Sequence, residues 1–182
     1  MRYKMKKLLI LNGSPRTDDE SNTYKALMAE AEFFKKKHPT VDIIYEKIPP
    51  DITGCRNCHT CHTYCNIKDG FQNIIHEMEG ATDVLLGSPV YLDMPTPQTV
   101  SFLTRLNCMA ENTDRVFFEG KNLYLVATSY CSGTKTCIHT MMGAGEMLGF
   151  TIEGRSTREY ICKWDDEKIR GGMHRSDVIL FK

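Results

Sequence analysis

A chain of 182 residues, 41% hydrophobic and 25% charged, carries enough apolar material to bury a core without disulfide staples, and a single domain over residues 1–182 is its simplest organisation. The 23 basic and 23 acidic side chains cancel, which argues against nucleic acid, whose phosphates call for a basic excess. No stretch approaches the roughly 20 apolar residues of a membrane span, and the apolar run Leu8–Leu11 is too short for a signal peptide, so the expectation is a cytoplasmic chain without a membrane partner. In that compartment clustered cysteines bind metal or do redox chemistry more often than they form disulfides.

The run KLLILN, residues 7–12, suits a buried strand ending in the turn Gly13-Ser14-Pro15. The segment SNTYKALMAEAEFFKKKH places Tyr24, Leu27, Met28, Ala31 and Phe34 at helical spacing. Ser21 or Asn22 is its expected N-cap, and Lys35-Lys36-Lys37 complements the dipole at its end. Residues 41–46 read as a second strand. A long Cys-rich loop over 49–69 follows, then a short helix, FQNIIHEMEG. A third strand at 83–87 again ends in Gly-Ser-Pro, and TPQTVSFLTRLNCM looks helical. A fourth strand is expected at 122–128, and then a helix from Thr134 that stops at Gly149. A fifth strand is expected within 150–162. The tail 163–182 is atypical, because Gly171-Gly172 interrupts the closing helix that such a fold wants.

Strands alternating with helices imply βαβ units. The length suits an α/β fold of the flavodoxin-like kind: a doubly wound, parallel, five-stranded sheet with helices on both faces and the Cys-rich loop after strand 2. A full barrel would need about 250 residues.

Ligands of such sheets sit at the carboxyl ends of the strands, and three of those ends have unusual chemistry. After strand 1, GSPRTDDESNT combines a tight turn, an arginine and hydroxyl side chains at a helix start, a set that can hold a phosphate. It is not a Walker loop, since GxxxxGK[ST] is absent. After strand 3, GSPVYLDMPTP offers a proline-stiffened wall and the Tyr91 ring. After strand 4, TSYCSGT is small and polar, with Tyr130. One phosphate cradle and two aromatic-bearing walls suit a planar, phosphorylated ring. Each Gly-Ser-Pro read singly is also merely a good turn.

Asn12-Gly13-Ser14-Pro15-Arg16 with Ser21-Asn22-Thr23, and Gly87-Ser88-Pro89-Val90-Tyr91, resemble the NADPH-dependent FMN reductase group of flavodoxin-like proteins. With the cysteine loop, the closer resemblance is to its iron–sulfur flavoprotein branch, over roughly residues 6–150. The resemblance implies FMN, with Ser14, Arg16, Ser21, Asn22 and Thr23 on its phosphate. It puts Pro89, Val90 and Tyr91 along the isoalloxazine, and Thr128, Ser129 and Gly133 at its other edge. It also implies flavin sites at subunit interfaces, hence a homodimer or homotetramer. Where the family often has an aromatic residue and glycine after the tyrosine, this chain has Leu92-Asp93.

Residues 54–65 read GCRNCHTCHTYC. Cys55, Cys58 and Cys61 form a C-x2-C-x2-C ladder with Cys65 three residues on, the metal ligands expected here. Three-residue steps deliver thiolates successively around a [4Fe–4S] cube, whereas zinc usually takes two knuckles separated by a longer spacer. The final gap is the difficulty: in the bacterial ferredoxin pattern the fourth cysteine serves another cluster. The fourth corner could otherwise be open, or taken by His59, His62 or a remote cysteine. Zinc and unmetallated thiols remain alternatives. Cys108, Cys137 and Cys162 read as packing, Cys131 as packing or redox, and Gly143, Gly145 and Gly149 as points of close helix–sheet approach.

The resulting expectation is an FMN-dependent oxidoreductase with a [4Fe–4S] cluster, passing electrons from ferredoxin or NAD(P)H to a small acceptor, with no side chain acting as classical acid or base. The alternatives are an NAD(P)H-dependent FMN or quinone reductase without a cluster, and a non-catalytic flavodoxin-like electron carrier.

Overall fold

The apolar runs become central strands because their side chains alternate into two cores. The protein is described by a computed structural model over residues 6–61, 64–112, 118–152, 157–162 and 178–180. In chain order the elements are β1 (Lys7–Asn12), α1 (Asn22–Lys37), β2 (Asp42–Lys47), α2 (Phe71–Gly80) and β3 (Asp83–Pro89). They continue with α3 (Pro97–Asn112), β4 (Asn122–Ser129), α4 (Thr134–Met147), β5 (Thr157–Cys162) and β6 (Val178–Leu180). The sheet order is β2-β1-β3-β4-β5-β6, with the first five strands parallel and β6 antiparallel to β5.

The order 2-1-3-4-5 is that of the flavodoxin-like sheet, as expected, with its topological switch point between β1 and β3. The sixth strand is an addition to the five expected. It comes from the tail, where Val-Ile-Leu is too short a run to reveal a period of two. The rest of the tail, residues 163–177 and 181–182, lies outside the described residues.

Leu9 and Leu11 of β1, Val84 and Leu86 of β3, and Leu123 and Leu125 of β4 face one core with α2, α3 and α4. Leu8, Ile10, Leu85 and Val126 face the other, packed by Ala26, Leu27, Ala31 and Phe34 of α1 and by Tyr160 of β5. Burial on both faces is why these strands read as continuous apolar runs and not as alternation. The α1 face leaves a groove of about 440 Å³ beside that helix, lined by Lys6, Leu8, Asn122 and Tyr124 among others. Those residues begin β1 and β4, so the groove lies at the amino ends of the strands, away from the switch point where ligands bind.

Local chemistry sets the helix ends. Ser21 caps α1, its hydroxyl accepting from Tyr24 N at 3.0 Å. α4 closes in a Schellman motif: Gly149 sits at φ +85°, its N–H donates to Glu146 O, and Phe150 N donates to Gly145 O.

Candidate functional site

The parallel registers bring the carboxyl ends of β1, β3 and β4 together, with Asn12 beside Gly87 and Pro89 beside Thr128. The two Gly-Ser-Pro turns meet there: Gly13 N donates to Gly87 O at 2.8 Å. Neither glycine is needed for a left-handed backbone; both are needed for space. A Cβ on Gly13 would run into Thr99 Oγ1 and, at 2.9 Å, the Gly87 carbonyl; one on Gly87 would meet Leu27 at 2.8 Å. Behind this contact lies a buried hydroxyl network. Thr96 Oγ1 donates to Gly13 O at 2.7 Å, Thr96 N donates to Ser88 Oγ at 3.0 Å, and the Thr96 and Thr99 hydroxyls pair at 2.9 Å. Ser88 is thus spent inside the scaffold and does not face a ligand.

In front lies a cleft of about 130 Å³, lined by Ser14, Arg16, Asn22, Thr23, Pro89, Val90, Tyr91, Thr128, Ser129 and Tyr130. Nine of these are among the eleven residues expected to meet FMN. Ser21 and Gly133 are not on the wall. Ser21 is buried and spent as the cap of α1. Gly133, at φ +84°, starts α4 directly behind the wall, where a Cβ would collide with Asp93 Oδ1 and come within 2.8 Å of Val90 Cγ1. Tyr130, noticed in the sequence only as an aromatic of the loop, is the addition: its hydroxyl accepts from Arg16 Nη1 at 3.3 Å across the cleft mouth.

Side-chain and backbone bonds shape the turn after β1. Asn12 Oδ1 accepts from Ser14 N at 3.0 Å, and Ser14 Oγ accepts from Arg16 N at 3.3 Å. Asn12 Nδ2 and the Tyr45 hydroxyl both donate to Asp18 Oδ1, and Lys47 Nζ donates to the Arg16 carbonyl. Burial and the Asp18 acceptor push the Tyr45 phenol up, so it stays a donor.

Beyond Pro89 the chain makes a two-residue hairpin. Tyr91 and Met94 exchange backbone hydrogen bonds at 2.8 and 2.9 Å while Leu92 and Asp93 both take positive φ, +50° and +61°. That is the pattern of a type I′ turn, which favours glycine or asparagine. Leu92 is 99% exposed, and Tyr91 and Met94 are about half exposed. Together with Pro95, Pro97 and Val100 they form an open apolar shelf adjoining the cleft. Leu92-Asp93 therefore keeps the turn open to solvent beside the cleft.

The cysteine loop runs across the first half of α3. Gly54 lies against it, a Cβ there standing 3.6 Å from Ser101 Oγ and 3.9 Å from Thr104 Oγ1. Arg105, buried in α3 with its guanidinium over the Phe71 ring, pairs with Asp69 at 2.6 Å and donates to the Thr53 and Ile67 carbonyls. Burial pushes the Asp69 carboxyl up, but the Arg105 hydrogen bond and charge outweigh it and hold the group below its ordinary value. Gln72 Nε2 donates to the carbonyls of Cys65 and Ile67, fixing the loop's other end to α2.

Within this frame Asn57 and His59 take left-handed backbones between successive cysteines, and Asn57 N donates to Cys55 Sγ at 3.3 Å. The Cys58 thiol, exposed, is lowered by its contact with Thr60. The Cys61 thiol is raised by burial and by the thiols of Cys65, Cys58 and Cys55 around it. Cys108 on α3 joins the group: hydrogen bonding to Cys55, then burial, push its thiol up to about 11. His62 lies outside the described residues. Cys131 is exposed and off the cleft wall; Cys137 is fully buried, and burial raises its thiol to about 12, in keeping with packing.

Residues 6–157 match the family described as NADPH-dependent FMN reductase. The chain belongs to that family. Several of the proteins it resembles are named for flavin chemistry. It is 34% identical over 86 residues to an iron-sulfur flavoprotein of Archaeoglobus fulgidus, an alignment of 47% of this chain and 41% of that one. Among solved structures it is similar to RosB with bound 8-demethyl-8-formylriboflavin-5′-phosphate. The TM-score there is 0.69 at 18% identity, covering 86% of this chain and 65% of that one. An NADH:FMN oxidoreductase in its apo form matches with a TM-score of 0.61 at 12% identity, over 86% of this chain and 75% of that one. The chain thus spans less than two thirds of the first two relatives, and likeness at these structural identities speaks for the fold alone.

The cleft suits the phosphorylated flavin that the family binds. Ser129 Oγ is buried in its wall and has no hydrogen-bond partner among the described residues, a polar atom awaiting a ligand. Arg16, the Ser14 turn and the first turn of α1 surround one end, the arrangement an anion favours. For the loop, donor chemistry is the test. Among the described residues no three Cys, His, Asp or Glu side chains form a group fit for one metal ion. A tetrahedral zinc site needs such convergence, whereas a cube of four irons takes thiolates at separated corners. The thiols of Cys55, Cys58 and Cys65 lie around Cys61 without such convergence. No helix among the described residues is long and apolar enough to cross a membrane.

Proposed function

We propose that this reductase binds FMN in the carboxyl-end cleft and an iron–sulfur cluster on the adjoining cysteine loop, passing electrons between a donor and a small acceptor. The observation that carries the flavin site is the meeting of Ser14, Arg16, Asn22 and Thr23 with Pro89, Val90, Tyr91, Thr128 and Ser129 in one cleft that has an unsatisfied hydroxyl in its wall. Arg16 and the α1 first turn take the phosphate, with Ser21 shaping that turn as its cap. Thr128 and Ser129 hydrogen-bond the polar edge of the ring, Tyr91 and Val90 cover its face, and Gly133 leaves room for the wall behind. FMN, once bound, supplies hydride-level and single-electron chemistry alike, so the protein's task is to bind, orient and shield.

The cleft's 130 Å³ is below the roughly 300 Å³ of an ordinary small-molecule site, and an apolar shelf adjoins it. Both favour a site completed by a second copy of the chain, in a homodimer or homotetramer. Cys55, Cys58 and Cys61, with Cys65 as the sequence's fourth candidate, hold the cluster. The backbone N–H on Cys55 Sγ is the kind of contact that tunes such sulfurs. Ser101 lines the shelf and also lies against Gly54, so the shelf and the cysteine loop share a wall of α3. Electrons come from reduced ferredoxin or NAD(P)H. The alternative, an NAD(P)H-dependent FMN or quinone reductase without a cluster, is favoured by the family's description.

Protein purified without oxygen distinguishes these readings by its visible spectrum and its iron, sulfide and zinc content. Flavin bands over broad iron–sulfur absorption with about four irons per chain are expected, and Cys58→Ala should lose the iron and keep the FMN. Flavin bands that NAD(P)H bleaches at once, with no iron, would establish the cluster-free reductase instead.

A further inference from the structure

Arg16 is fixed in its backbone and exposed in its side chain. Its N–H donates to Ser14 Oγ at 3.3 Å, and its carbonyl accepts from Lys47 Nζ of the edge strand β2. Lys47 lies 3.9 Å from Asp18, which also accepts from the Tyr45 hydroxyl at 2.6 Å and from Asn12 Nδ2 at 3.3 Å. The turn that carries Arg16 is thus clamped by Lys47, Tyr45 and Asp18, none of which lines the cleft.

The guanidinium has a different setting. Arg105 and Arg158 are paired with carboxylates, whereas among the described residues Arg16 has no acidic partner. Its Nη1 donates instead to the Tyr130 phenol oxygen at 3.3 Å, a contact between residues 114 apart in the chain. Tyr130 follows Ser129, the last residue of β4, which the sheet fixes opposite Ile161 of β5. Partly buried on a strand end, the ring is a firm mount for that oxygen. An arginine side chain loses much rotamer freedom when it grips an anion. A hydroxyl acceptor, unlike a carboxylate, orients the guanidinium without neutralising it and leaves the rest of its fork of donors for that anion.

We propose that Tyr130 is a positioning residue for the flavin phosphate: its hydroxyl holds the Arg16 guanidinium ready at the end of the cleft assigned to that phosphate. The inference rests on the reading that the cleft binds FMN, and it gives Tyr130 a role on the phosphate and none on the ring. Holding one rotamer-rich side chain in place before binding should be worth about two- to tenfold in affinity. Riboflavin has the same ring and ribityl chain without the phosphate, so it separates the two roles.

The test titrates the flavin-free full chain with FMN and with riboflavin, following flavin fluorescence, for the wild type, Tyr130→Phe, Arg16→Ala and the double variant. The wild type should bind FMN more tightly than riboflavin, and Arg16→Ala should lose most of that preference. Tyr130→Phe keeps the ring, so FMN binding should weaken by about two- to tenfold. Its riboflavin affinity should stay at the wild-type value, which also shows that the variant has folded. Added to Arg16→Ala, the same change should alter neither affinity, because the group it positions is gone. An equal loss for both flavins would make Tyr130 a wall of the ring and overturn the proposal. Unchanged FMN affinity in Tyr130→Phe, or additive losses in the double variant, would overturn it too. A wild type that binds neither flavin, or both equally, removes the flavin-phosphate reading itself and this proposal with it.

Discussion

The cleft and the cysteine loop share helix α3, yet they are ordered by different means. The cleft stands on strand ends in parallel register, two glycines in direct contact, and a buried hydroxyl network whose members all find partners. Among the described residues the loop has no regular element between β2 and α2, and an ion pair and a few side-chain-to-carbonyl bonds hold its two ends. A site built on a sheet is shaped before its ligand arrives. A loop of thiols depends on one or two anchors and on what it binds. The two should therefore fail separately.

The largest expected effect is at the loop anchor. Asp69→Ala leaves the buried Arg105 unpaired, which should cost about 3–5 kcal/mol in urea or guanidinium unfolding. A loss under about 1 kcal/mol would show that the loop does not hang on this pair. The same carboxylate sets a pH dependence, along with Asp83. That side chain is pushed up by burial but held low overall by hydrogen bonds from Thr82 and Asn122 and by Lys6. Because both folded-state values lie below the unfolded value near 3.9, their stabilisation is fully present above that pH and is lost as pH falls through the folded values. Denaturant midpoints measured from pH 7 to pH 3 should be level at first and then drop; a midpoint that rises on acidification would contradict the assignment.

Gly13→Ala tests the scaffold of the cleft. Its new methyl has no room beside Thr99 and the Gly87 carbonyl, and about 1–3 kcal/mol of stability should be lost. FMN binding should weaken, with iron uptake preserved if loop and cleft are independent. Smaller again is Thr128→Val. The Thr128 and Thr23 hydroxyls pair at 2.7 Å inside the cleft, so the loss is about 1 kcal/mol, several-fold in FMN affinity measured by fluorescence quenching. The smallest change should be favourable. A Cβ at Gly143 meets nothing within 4 Å, and Gly143→Ala in mid-helix should stabilise by roughly 0.5–1 kcal/mol without touching either site. Destabilisation there would point to a contact made by a second copy of the chain.

That last case also marks where residue type stops being informative. Gly143 and Gly145 read alike in the sequence, as close helix–sheet contacts. Only Gly145 is one, its Cβ position blocked by Leu123, while Gly143 faces open space. The two serines of the paired Gly-Ser-Pro turns also look equivalent, yet Ser14 lines the cleft and Ser88 is consumed in the network behind it. Ser21 was expected both as the cap of α1 and on the phosphate; the structure shows it as the cap, accepting from Tyr24 N.

What the sequence determined by itself was local and periodic. Four helices, five strands, the ends that carry Gly-Ser-Pro and the C-x2-C-x2-C ladder are all written within windows of a few residues, because hydrophobic period, capping and turn chemistry act over that range. Tertiary structure alone decided which distant residues became neighbours. It paired Tyr130 with Arg16 across the cleft mouth, and it added β6 to the sheet edge through β5. Such contacts join positions tens to more than a hundred residues apart, and no local pattern records them, since what selects them is the packing of whole elements against one another.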